Sequence, residues 1–143
     1  MVETMVHAAL VGAGATLVTD AWALARRRLS GAPLPDWSLV GRWVGSFARA
    51  RFRHDRIAAS PPVPHERAIG WATHYAVGIA FASLLLWSAG PSWVRGPTLL
   101  PALAVGTATS LAPFLLMQPG MGAGLFSRLT PGPWAARRRT LVN

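Results

Sequence analysis

Few residues in this chain can do chemistry. Its 143 residues include five acids, four histidines and no cysteine. Asp20 and His74 lie inside long apolar runs, and Gln118 lies in a third. A titratable group deep in lipid costs about 2.5 to 3.5 kcal/mol on insertion scales, so it turns toward a partner or a cavity. A carboxylate beside an imidazole can relay a proton or line a cation path. The stretch "HDRIAASPPVPHERAIGWATHY", residues 54 to 75, adds His54, His65 and Glu66 just before His74. Together with His74 these are candidate ligands for a divalent metal or an axial haem position. No spacing among them is a known metal signature, and the adjacent His65 and Glu66 point different ways on a helix. A third reading makes Asp20 and His74 a buried pair that fixes helix register without chemistry. No phosphate-cradling glycine loop or Ser–His–Asp order is present, and the absence of cysteine removes thiolate, disulfide and zinc-finger chemistry. The residues point away from an enzyme.

The elements that must hold these groups are apolar helices. The chain is 52% hydrophobic and 13% charged, against about 25% charged in soluble domains. Three segments reach the roughly 20 helical residues needed to cross a bilayer core: residues 5–25, 68–90 and 97–124. None alternates like a barrel strand, and isolated strands leave backbone groups unpaired in lipid. The expected fold is an all-α polytopic transmembrane bundle, a single membrane domain with three spans and an interfacial amphipathic helix. A cleavable signal peptide is the alternative for the first segment, but "MVET" opens with an acid and not with a basic region.

Asp20 stands five residues before Ala25, and His74 six after Ala68. Both therefore lie about 8 to 9 Å inside the same boundary of antiparallel helices, with Gln118 at a similar depth. In steps of four the helices read Ala8, Gly12, Thr16, Asp20; His74, Gly78, Ala82; and Ala102, Gly106, Ser110, Phe114, Gln118. Small residues at that spacing let membrane helices approach closely, so all three stripes are expected to face inward. Pro113 predicts a kink that frees the carbonyl near Thr109.

All 14 basic residues are arginines, for a net charge of +9. Arg26, Arg27, Arg28, Arg42, Arg49, Arg51, Arg53, Arg56 and Arg67 occupy the loop 26–67, Arg95 alone the second connection, and Arg128 and Arg137–139 the tail 125–143. High, low, high is the positive-inside pattern. It predicts a periplasmic N-terminus with a cytoplasmic loop and tail. Arginines set between apolar segments also argue against nucleic acid, which needs a basic patch on a soluble fold.

Within the loop, Asp36 after Pro35 is a predicted N-cap for a helix over about 36–50. Trp37, Val40, Trp43, Val44 and Phe47 recur there at helical spacing. That stripe suits either the headgroup region or packing against the bundle. "SPPVP" is an extended connector, after which Pro64 can open the second span's helix. Three narrow helices bury little alone, which leaves room for self-association or a membrane partner subunit besides the lipid bilayer.

The ordered words "GRWVG", "FRHDRIAASPPVPHERAIGWATHYAVGIAFA", "PTLLPALAVGTATSLAPFLLMQPGMGAG" and "TPGPWAARRRTL" resemble a family of small bacterial integral membrane proteins, catalogued as a domain of unknown function. The similarity covers almost the whole chain and is most specific around residues 52–82 and 113–137. It implies a multi-pass inner-membrane protein and supplies neither an activity nor a site. Family members continue after the stretch matching "RRRTLVN" into another apolar segment that begins near a histidine. The resemblance therefore implies a fourth span beyond Asn143.

Overall fold

The structure, a computed structural model, describes residues 2–142. Among them every regular element is helical, and three helices are long and apolar enough to cross a membrane: Val2–Ser30, Glu66–Ala89 and Leu99–Gly120. The chain divides into two compact units. One comprises the segments up to Ala32 and His74–Thr109; the other comprises Pro33–Thr73 and Ser110 onward.

In the first unit α1 (Val2–Ser30) buries Ala8, Gly12 and Thr16, the four-residue step on which small side chains recur, and Ala23 two turns on. It ends where Gly31, at φ 66°, turns its N–H onto the Arg27 carbonyl at 3.0 Å. A left-handed glycine there satisfies an orphan carbonyl, and Arg27 and Arg28 complement the negative helix end. Opposite α1 runs α3 (Glu66–Ala89), whose residues from His74 onward belong to this unit and bury Ala82, Leu85 and Leu86. The helices touch backbone to backbone. A Cβ on Gly12 would stand 2.5 Å from Ile79 Cα and 2.7 Å from the Gly78 carbonyl oxygen, and one on Gly78 would run into Thr16 Oγ1. Side chains at either glycine would hold the axes apart.

Of the third stripe Phe114 and Gln118 are buried, but its first part departs from expectation. Helix α4 (Leu99–Thr109) has no buried residue, and a Cβ on Gly106 would meet nothing within 4 Å. A small-residue step permits close approach but does not supply a neighbour, and here the Gly106 face is open.

In the second unit α2 (Trp37–Gly45) is capped as the sequence predicts: Asp36 Oδ1 accepts the Ser38 N–H at 3.0 Å. Val40 and Gly41 are buried. Gly41 and Gly70 bring α2 against the first turns of α3, where an added Cβ on Gly41 would strike the Glu66 carbonyl oxygen and one on Gly70 the Trp37 carbonyl oxygen. Trp37 and Trp71 meet beside this crossing with ring centroids 5.9 Å apart. Of the two settings open to the Trp37–Phe47 stripe, packing onto a span is thus realised over its first half. A 3₁₀ turn, Ser46–Arg49, ends at left-handed Ala50. The expected helix start at Pro64 shifts to Glu66, because His65 adopts a left-handed φ of 57°.

Pro113 follows an interruption: α4 ends at Thr109 and Ser110 forms a turn. Lacking an N–H, the proline cannot close the bond to Thr109, and the helix widens into a π turn over Pro113–Met117, closed by the Gln118 N–H on the Pro113 carbonyl. Short α5 (Gln118–Gly120) leads to a bend in which Gly122 takes φ 90°. There the loop from residue 54 lies alongside, with the His54 N–H on the Gly120 carbonyl at 2.9 Å and the Ile57 N–H on the Met121 carbonyl at 3.0 Å. The described chain closes with α6 (Pro133–Val142).

Candidate functional site

Asp20 sits on α1 one step beyond Thr16, and His74 on α3 one step before Gly78, so the glycine contact that draws the helices together also sets the gap between the two groups. His74 Nε2 lies 3.0 Å from Asp20 Oδ1. Asp20 Oδ2 accepts a hydrogen bond from the Tyr75 hydroxyl at 3.1 Å. One carboxylate is thereby shared between an imidazole and a phenol, with one partner on each oxygen. Neighbouring rings of His74 and Tyr75 stand edge to face at 5.6 Å. All three groups are half-buried.

This arrangement can hold a proton in more than one place. An ionised Asp20 accepts from both neighbours; a protonated one donates to whichever lone pair is free. Tyr75 was not among the residues singled out in the sequence, since it follows His74 by one position and lies about 100° round the helix. The clue available was its chemistry: it is the chain's one tyrosine, and a partly buried phenol finds a polar partner.

Gln118 belongs to the second unit, where its Nε2 donates to Thr140 Oγ1 at 3.0 Å while the buried Oε1 has no partner. His54 is also in that unit and is 6% exposed. Its Nδ1 shares a 2.8 Å hydrogen bond with the Ser60 hydroxyl, and its Nε2 is unpaired. Burial, with Arg51 nearby as a second cause, holds this imidazole below its ordinary value and so keeps it neutral.

Glu66 is committed to Arg42. The guanidinium Nε and Nη2 donate to the two carboxylate oxygens at 2.9 Å each, and Nη1 reaches the Ser60 carbonyl at 3.0 Å. The Val63 N–H donates to Glu66 Oε2 at 3.2 Å. A fork-to-fork pair of this kind leaves no oxygen free for a cation. His65 is exposed on its left-handed turn. Among the described residues no group of three or more His, Cys, Asp or Glu side chains could hold a metal ion, so the donor set envisaged from His54, His65, Glu66 and His74 is not assembled.

No curated protein and no solved structure matches the chain. A family model described as Protein of unknown function (DUF2938) matches residues 9–143, nearly the whole length and every candidate residue named above. The chain belongs to that family.

Proposed function

We propose that this chain is a small integral protein of the bacterial inner membrane, transport-related or an accessory subunit, whose Asp20, His74 and Tyr75 pass a proton between α1 and α3. The observation that carries this reading is the shared carboxylate: Asp20 lies within 3.0 Å of His74 Nε2 and 3.1 Å of the Tyr75 hydroxyl, on helices otherwise apolar enough to cross a bilayer. Intramembrane ionisable residues that meet in this way mark proton or ion paths. Arginine placement supports a periplasmic N-terminus with the long loop and the tail cytoplasmic. The unburied α4 and its open Gly106 face support completion by a second copy or a partner subunit. No nucleic-acid partner and no catalytic residue are part of the reading.

The test uses proteoliposomes loaded with a pH-sensitive dye under an imposed potential. Wild type is expected to dissipate the gradient, and Asp20→Asn to lose that flux while still resisting alkaline extraction. Flux no faster than in empty liposomes would refute the relay. A second reading, in which the cluster only fixes helix register, is favoured by the interlock of Gly12, Gly78 and Thr16 one turn away. It requires Asp20→Asn to aggregate or fail to insert.

A further inference from the structure

The chain's five acids, Glu3, Asp20, Asp36, Asp55 and Glu66, all precede residue 67. From Arg67 onward there are six arginines and no carboxylate side chain, and four of these, Arg128, Arg137, Arg138 and Arg139, follow the last apolar helix. None of the four has an ion-pair partner among the described residues.

Their setting is organised. Arg137 Nε donates to the Phe126 carbonyl at 2.7 Å, and its guanidinium lies 5.0 Å over the Trp134 ring. Phe126 stacks on Phe114 at 5.2 Å, so the arginine is fastened to a turn that is itself packed. Arg138 and Arg139 are exposed. On α6, Trp134 and Leu141 are seven residues apart and hence on one face, and they are 79% and 66% exposed. Arg137 and Arg138 lie between them on that face, within about 60° of Trp134, and Arg139 turns about 140° away at its flank; this mix of exposed apolar and guanidinium groups matches one occupant by charge and by polarity.

We propose that α6 docks the headgroup of an anionic phospholipid. Guanidinium forks bind the phosphodiester, basic clusters beside a span concentrate anionic lipid, and Trp134 lies at the level of the glycerol backbone. A free phosphate would leave Trp134 and Leu141 in water, so the occupant is lipid. This rests on the reading that the chain is membrane-inserted.

The experiment is native mass spectrometry of the full chain, purified in neutral detergent and offered equimolar phosphatidylglycerol and phosphatidylcholine. Phosphatidylglycerol is expected to be retained at least tenfold over phosphatidylcholine. Arg138→Gln/Arg139→Gln, which leaves the Phe126 contact intact, is expected to abolish that preference, since about fivefold per arginine is enough to account for all of it. Trp134→Ala should lower retention of both lipids. Equal retention of the two lipids by wild type, an unchanged preference in the double variant, or displacement by inorganic phosphate mole for mole would each overturn the proposal. Alkaline extraction of the same preparations reports membrane insertion separately.

Discussion

The contact between Gly12 and α3 sets the geometry of the polar cluster, and a single methyl group tests it. In Gly12→Ala the new carbon would lie 2.5 Å from Ile79 Cα, 2.7 Å from the Gly78 carbonyl oxygen and 2.8 Å from the Ile79 nitrogen. Carbon atoms settle at about 3.5 to 4.0 Å, and all three obstacles are backbone that cannot rotate aside. The helices must therefore part by about 1 Å. Overpacking of this kind costs about 1 to 3 kcal/mol, and a backbone obstacle puts Gly12 near the upper end. Alanine returns about 1 kcal/mol of helix propensity, leaving a net loss of about 2 kcal/mol. Gly14, two residues on, has nothing within 4 Å of its would-be Cβ. Gly14→Ala collects up to about 1 kcal/mol of propensity at no steric cost, so the two variants should differ by about 3 kcal/mol. The assay is reversible unfolding in mixed micelles, with the His74 imidazole followed by nitrogen NMR. A 1 Å separation carries the 3.0 Å His74–Asp20 contact beyond hydrogen-bond range, so the imidazole signal should move in Gly12→Ala alone. Equal stability of the two variants, or an unmoved His74 signal, would refute the coupling of packing to site.

Three further outcomes follow from other parts of the fold. The His54 imidazole is held below its ordinary value by burial, so it favours folding in its neutral form; that contribution is complete above about pH 6.5 and fades as pH falls toward the lowered value, because the unfolded chain then binds the extra proton. Thermal unfolding should accordingly show acid destabilisation below that pH in wild type and a shallower slope in His54→Gln. Arg42→Lys keeps the charge but not the fork, and with the Arg42 and Glu66 side chains 12% and 19% exposed it should cost about 1 to 3 kcal/mol, less than a fully buried pair; denaturant titration reads this. Gly106→Leu, on the open face of α4, should leave stability of the isolated chain unchanged and alter self-association or partner capture, read by cross-linking in native membranes.

How much of this was legible in the residues depended on whether a local rule governed them. The buried set on α1, Ala8, Gly12 and Thr16, follows from a sequence step that permits only one close neighbour, and the pairing of Asp20 with His74 follows from antiparallel helices and equal depth. The Asp36 cap was legible for the same reason. In α4 the same step misled. Leu99, Leu100 and Leu103 are exposed beside Gly106, and a helix apolar on every side offers no pattern from which to choose its buried face. Arg42 finds Glu66 across 24 residues, through a proline-rich connector with no periodicity, so no local rule could pair them. His54 stands between Arg53 and Asp55, neighbours that give no sign of burial, yet the loop that carries it is drawn in by backbone bonds to Gly120 and Met121.

The cluster's residual exposure gives the relay reading its physical content. His74 and Asp20 keep 17% and 25% of their side-chain surface open. A sealed, fully satisfied pair would only fix register, as buried polar pairs can. A carboxylate left facing acyl chains would carry a penalty of about 2.5 to 3.5 kcal/mol. Two donors on two oxygens remove most of that penalty and still leave a rim through which a water, a headgroup or a partner's polar group can reach Asp20. A proton path needs that opening, and a register pin does not. Tyr75→Phe discriminates between them: it removes one donor and keeps the ring, so a relay should lose flux with little change in insertion, whereas a register pin held chiefly by His74 should scarcely respond.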